Sequence, residues 1–258
     1  MQNLNLSPAI QKALEKMGIT TPSPIQAQSI PHLLEGKDVI GQAQTGTGKT
    51  AAFAIPVIEK TESNKFVQSL ILCPTRELAI QVNSEFRKLA KFQKHVKTLA
   101  IYGGQPIRQQ MRMLTIQKPQ IIVGTPGRVL DMIQRGCLKL DNVQTVVLDE
   151  ADEMLNMGFR QPIESILKQT PKQRQTVLFS ATLPQAIIDL TSKYQKDDAT
   201  HIKAVAKGKS LVKIEQQYFK VKKNTKVRAL TQLLAHHQPG LSVVFCNTKW
   251  KVDALVTQ

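Results

Sequence analysis

Two short segments of the chain carry groups that could do chemistry together. In AQTGTGKT (residues 43–50), Gly46 and Gly48 precede Lys49 and Thr50. Glycines let a backbone turn so that successive amides face an anion. A lysine at this position reaches β- and γ-phosphates, and the hydroxyl after it can ligate Mg²⁺. In DEAD (residues 149–152), Asp149 is suited to hold Mg²⁺ through its water shell, and Glu150 to take a proton from an attacking water. Each segment alone could be something plainer. The first departs from GxxxxGK[ST] at Ala43, and acidic surface turns are common in a basic protein. Together they supply a phosphate cradle, a metal carboxylate and a base, which is an ATP-hydrolysing site.

Positioning these groups requires a sheet. Val39 and Ile40 precede the first segment, and Val146, Val147 and Leu148 the second. Similar apolar runs occur at residues 70–72, 98–101, 121–123 and 177–179, separated by helix-like stretches. One such stretch, residues 76–92, places Leu78, Val82, Phe86 and Leu89 at helical spacing. Another, residues 8–17, opens the chain. Continuous apolar strands alternating with helices predict an α/β fold, a parallel sheet covered on both faces. Ligands of such sheets collect at the carboxyl ends of the strands, so the polar motifs should gather along one edge.

Composition narrows the partners. A chain of 258 residues with 41% hydrophobic and 21% charged residues can fold, and its net charge of +16 favours a polyanion. No apolar run approaches the ~20 residues a membrane span needs, and the first residues lack the pattern of a secretory signal. Cys73, Cys137 and Cys246 form no CxxC pair, which fits a reducing, cytoplasmic setting. Aromatic residues at 5% argue against a base-stacking platform.

With PTRELA (residues 74–79), Gly103 and Gly104, TPGR (125–128), SAT (180–182) and GITTPSPIQ (18–26), the ordered motifs resemble the DEAD-box ATP-dependent RNA helicases. YGGQ (102–105) and DEADEMLNMGF (149–159) are most similar to the bacterial cold-shock and ribosome- or decay-associated members. The resemblance implies a RecA-like sheet, ATP and Mg²⁺ as cofactors, and RNA gripped by its sugar-phosphate backbone. Nucleotide-binding roles then fall to Ile19, Gln26, Ala43, Gln44, Thr45, Gly46, Thr47, Gly48, Lys49 and Thr50, with Gln26 reading adenine through its amide. Thr50 and Asp149 become the metal residues, and Glu150, Lys49 and Asp149 the catalytic ones. RNA contact is implied for Pro74, Thr75, Arg76, Gly103, Gly104, Thr125, Pro126, Gly127 and Arg128. Residue type allows Arg76 and Arg128 either to bind phosphate directly or to brace their loops. Asp152, Ser180 and Thr182 resemble the element that couples hydrolysis to strand separation.

The resemblance also marks departures. The aromatic residue that members carry near the position of Met1 is absent. An N-terminal domain over residues 1–203, a basic linker over 204–210 and the incomplete beginning of a second RecA-like domain over 211–258 are expected. In that last part, strand-like runs at 214–221 and 243–246 flank a helix-like one at 225–236. FCNT (245–248) is similar to the second domain's first motif, but no HRxGR-like segment follows. Arginines from that domain matter by orders of magnitude in related phosphoryl transfer, so this chain should bind nucleotide and hydrolyse it poorly. Two alternatives stand beside this reading: a non-catalytic ATP- or RNA-binding module or regulator, and a DNA-directed relative.

Overall fold

The computed structural model describes residues 4–44, 46–204, 215 and 217–257. Seven strands alternate with helices from the first strand on, and all adjacent pairs run parallel. The strands are β1 (Val39–Gln42), β2 (Ser69–Leu72), β3 (Thr98–Ile101), β4 (Ile121–Gly124), β5 (Thr145–Asp149), β6 (Gln175–Ser180) and β7 (Thr200–Lys203). Their spatial order is β3-β4-β2-β5-β6-β1-β7. The helices are α1 (Pro8–Lys16), α2 (Pro24–Leu34), α3 (Lys49–Lys60), α4 (Arg76–Leu89), α5 (Ile107–Gln117), α6 (Pro126–Gln134), α7 (Ala151–Asn156), α8 (Arg160–Lys168), α9 (Gln185–Tyr194), α10 (Lys226–His237) and α11 (Lys249–Val256).

The two-residue period of the strands sorts their side chains between two cores. Ile71, Val123, Val147, Val177 and Phe179 join α1 to α4 on one face, where Phe53, Phe86 and Phe179 pack ring against ring. Leu70, Leu72, Ile122, Val146, Leu148 and Leu178 join α5 to α9 on the other. Cover on both faces explains why the central strands are apolar at successive positions rather than at alternate ones. β7 has no counterpart among the apolar runs of the sequence. It is a polar edge strand, THIK, in which Ile202 alone is buried.

The chain divides into two compact units, Met1–Lys207 and Gly208–Gln258. The expected linker lies outside the described residues apart from Ala204, which extends the β1–β7 ladder by donating to the Gln42 carbonyl at 3.0 Å. In the second unit the helix expected at 225–236 forms as α10. The described residues of the two strand-like runs, 215, 217–221 and 243–246, make no ladder. Apolar character alone does not make a strand, which needs a neighbour for its amides and carbonyls. Tyr218, Val243 and Phe245 are accordingly exposed. Ile214, where the first run begins, lies outside the described residues.

Candidate functional site

The six motifs that follow strands sit at the carboxyl edge of the sheet, and strand order divides that edge into two halves; GITTPSPIQ leads instead into α2, and FCNT lies in the second unit. β3, β4 and β2, side by side, lead into YGGQ, TPGR and PTRELA. β5, β6 and β1, also side by side, lead into DEAD, SAT and AQTGTGKT. The contact of β2 with β5 joins the halves.

The candidate phosphate cradle begins where Ala43 donates to the Ser180 carbonyl at 3.0 Å, continuing the β1–β6 pairing. Thr47 Oγ1 then donates to the Gln44 carbonyl at 2.7 Å. Gly46 and Gly48 both have left-handed backbones, with φ of 80° and 90°. Gly48 caps α3, and a Cβ there would stand 2.5 Å from Gln26 Nε2, so glycine is required by both conformation and space. Thr45 lies outside the described residues.

Lys49, the first residue of α3, is 6% exposed, and its Nζ is buried without a hydrogen-bond partner. Asp149, the last residue of β5, is 2% exposed and leaves Oδ1 equally unpartnered. Burial raises the Asp149 pKa to about 7; the Lys49 charge opposes this, and the Glu150 charge adds to it. Beside them, burial pushes the Cys73 thiol well up, with the Asp149 and Glu150 charges contributing. Glu150 caps α7 with φ of 52°, a left-handed conformation unusual for a side chain of this size.

A buried ammonium lacking an acceptor and a buried carboxylate oxygen lacking a donor fit a polyphosphate and a cation. Among the described residues no cluster of three or more His, Cys, Asp or Glu could cage a metal. One carboxylate and the Thr50 hydroxyl are the sparse oxygen set that suits Mg²⁺ held partly by water and substrate phosphates.

Gln26 is 5% exposed and tied to the cradle. Its Nε2 donates to the Gly48 carbonyl at 3.0 Å, and its Oε1 accepts from the Ser23 amide at 3.0 Å. That leaves one N–H and one lone pair for a base. Ile19 lies partly buried at the foot of α1, its amide bound to the Leu14 carbonyl.

Asp152 and SAT are joined directly. Asp152 Oδ2 accepts from the Thr182 amide at 2.9 Å and from Thr182 Oγ1 at 2.7 Å, and the Asp152 amide donates to Ser180 Oγ at 3.3 Å. Partial burial acts to raise the Asp152 pKa, but the hydrogen bonds, Thr182's foremost, hold it below the usual value.

On the other half, Thr75 Oγ1 caps α4 by accepting from the Leu78 amide at 3.2 Å. Arg76 lies over the Tyr102 ring, 5.4 Å from its centroid, and its Nη1 would be 3.3 Å from a Cβ at Gly104. Arg128 Nη2 donates to the Gln105 carbonyl at 3.0 Å while its Nη1 is buried without a partner. Pro126 opens α6, and Gly103 and Gly127 are exposed, each with open space around it. Tyr102 and Gln105 are contacts that sequence reasoning missed. They stand in YGGQ, and an aromatic residue beside a glycine pair was the available signal.

The DEAD/DEAH box helicase family model matches residues 23–190. Over 98% of its length the chain is 51% identical to "DEAD-box ATP-dependent RNA helicase CshA" of Bacillus cereus and covers 48% of that protein. For the Bacillus subtilis protein of the same name the figures are 50% identity, 98% and 51%. The chain thus spans about half the length of these curated relatives. Among solved structures, a DEAD box protein from the hyperthermophile Methanococcus jannaschii matches with a TM-score of 0.76 and 44% identity, over 100% of this chain and 69% of that one.

Proposed function

The chain belongs to the DEAD/DEAH box helicase family, and from that premise we propose that it is the ATP-binding half of an ATP-dependent RNA helicase. The observation that carries the reading is the pair of buried, unpartnered groups, Lys49 Nζ and Asp149 Oδ1, at the carboxyl edge of one sheet. Lys49 and the turned amides of residues 46–48 would bind the β- and γ-phosphates. Thr50 and Asp149 would hold Mg²⁺, which supplies charge neutralisation on the phosphates. Glu150 is the candidate base for the attacking water, and Gln26 links the identity of the base to the cradle through Gly48.

RNA is the proposed second ligand, held by Pro74, Thr75, Arg76, Gly103, Gly104, Thr125, Pro126, Gly127 and Arg128. Arg128 is suited both to bracing its loop and to binding phosphate, since one nitrogen holds Gln105 and the other has no partner. The Asp152–Thr182 and Asp152–Ser180 bonds give hydrolysis a route to the strand that ends in SAT. We assign residues 211–258 to the opening of the second RecA-like domain, on the match of FCNT to that domain's first motif. Similarity to bacterial RNA helicases supports a cytoplasmic setting. Ribosomal or RNA-decay complexes are the partners in keeping with YGGQ and DEADEMLNMGF.

Two measurements test the reading. Mg²⁺-ATP should bind this chain, and Lys49→Ala should weaken binding at least ~100-fold, the loss of a buried charge-assisted contact. In the complete protein, RNA more than DNA should stimulate ATP turnover, and Glu150→Gln should abolish it. Turnover that survives Glu150→Gln removes Glu150 as the base, and equal stimulation by DNA favours a DNA-directed relative.

A further inference from the structure

At the opposite edge of the sheet, where β1 and β6 begin, a cavity of about 370 Å³ is lined by Lys168, Lys172, Arg174, Tyr194 and Lys196, with Asp38 as its carboxylate. Arg174 dominates it. The residue is 7% exposed; Nη1 donates to the Pro171 carbonyl at 3.0 Å, while Nε is buried with no partner. Asp38 does not supply one. Its Oδ1 accepts from the Thr176 amide at 2.8 Å and its Oδ2 from the Lys196 amide at 2.9 Å; its charge acts on the guanidinium, but no oxygen comes within ion-pair distance of it. Lys193, also on the rim, is occupied by Glu164 at 2.7 Å. One guanidinium and three exposed lysines therefore face a single carboxylate whose oxygens are already engaged.

A buried cationic N–H without an acceptor costs free energy that an arriving anion would recover. The planar fork of arginine with lysines around it is the arrangement that takes tetrahedral oxyanions. Positive charge is crowded here as well: burial first, and then the Lys196 charge, lower the pKa of neighbouring Lys60. Neither the nucleotide motifs nor the RNA-facing loops include any of these residues.

We propose that the cavity formed around Arg174, Lys168, Lys172 and Lys196 binds a phosphate group, as a second anion site independent of the nucleotide site. The ligand is either a free polyphosphate or the phosphorylated end of an RNA.

The test uses the Lys49→Ala chain, so that phosphate binding at the nucleotide site is weakened. Tripolyphosphate is titrated in, with calorimetry for affinity and the Arg174 Nε–H resonance for location. The resonance should shift. Adding Lys168→Gln and Lys172→Gln should weaken binding about tenfold, whereas Lys65→Gln with Lys118→Gln, which removes the same charge from exposed positions elsewhere, should leave it within about twofold. Equal weakening by both pairs, or a silent Arg174 resonance, overturns the proposal. Oligoribonucleotides with 5′-triphosphate and 5′-hydroxyl ends separate the sources. A preference for the triphosphate end that disappears with the Lys168 and Lys172 changes identifies RNA ends. No preference, with tripolyphosphate still bound, identifies free polyphosphate.

Discussion

Glu150 combines a proposed chemical role with an unfavourable backbone. Its φ of 52° is a conformation that costs an L-residue roughly 1–2 kcal/mol. Glu150→Gly should therefore raise stability by up to about 1 kcal/mol while ending hydrolysis, seen as a higher urea midpoint at unchanged slope. Glu150→Gln should end hydrolysis without the gain. At Asp152, Asp152→Ala breaks both bonds to Thr182 and should cost about 1–3 kcal/mol. In the complete protein, ATP turnover should outlast duplex unwinding; parallel loss of both would remove the coupling role. The groups proposed for the nucleotide site were legible in the sequence, because GKT and DEAD are recognised by residue type. The partners of Arg76 and Arg128 were not, since a ring at Tyr102 and a carbonyl at Gln105 become neighbours only when β2, β3 and β4 are set side by side.

Among the elements, α8 and α9 are fastened by one carboxylate. Glu164 on α8 accepts from Lys193 and Tyr194 on α9 and from Arg160 on its own helix. The hydrogen bonds from Lys193 and Arg160 lower its pKa to about 2. A folded value below the unfolded one gives stability that is present above pH ~4.5 and is lost as pH falls towards ~2. The lysine and arginine are about half exposed, so the contribution should be near 0.5–1 kcal/mol. Glu164→Gln should remove that much at pH 7 and flatten the acid limb of the stability curve; an unchanged limb would assign it to other carboxylates. Strand elements were legible where both faces are covered, because consecutive apolar residues between polar stretches must bury side chains in both directions. β7 was not, because an edge strand needs a single buried residue. In the second unit the apolar runs were visible, but nothing in a sequence states whether a neighbouring strand is there to pair.

Over the whole molecule, the net charge of +16 favours a polyanion, and the number of phosphates neutralised sets how binding responds to salt. For single-stranded RNA the logarithm of affinity should fall linearly with the logarithm of salt concentration, by ~0.7 per phosphate neutralised. Arg76→Gln and Arg128→Gln should each reduce that slope by about 0.7 with no change of sequence preference; an unchanged slope would confine both arginines to bracing. Strand order has a consequence in time as well as in space. β1, which leads into the phosphate cradle, pairs with β6 and β7 and with no strand nearer in sequence. About 160 residues separate Val39 from its partner Thr200, so the contacts that fix the cradle are among the most non-local in the fold. At a synthesis rate of ~5–20 residues per second, roughly 7–30 s must pass between translation of the GKT segment and arrival of the strands that hold it in place. A nascent chain stalled before β6 would carry the complete GKT segment proposed to bind ATP and still lack both strands that pair with β1.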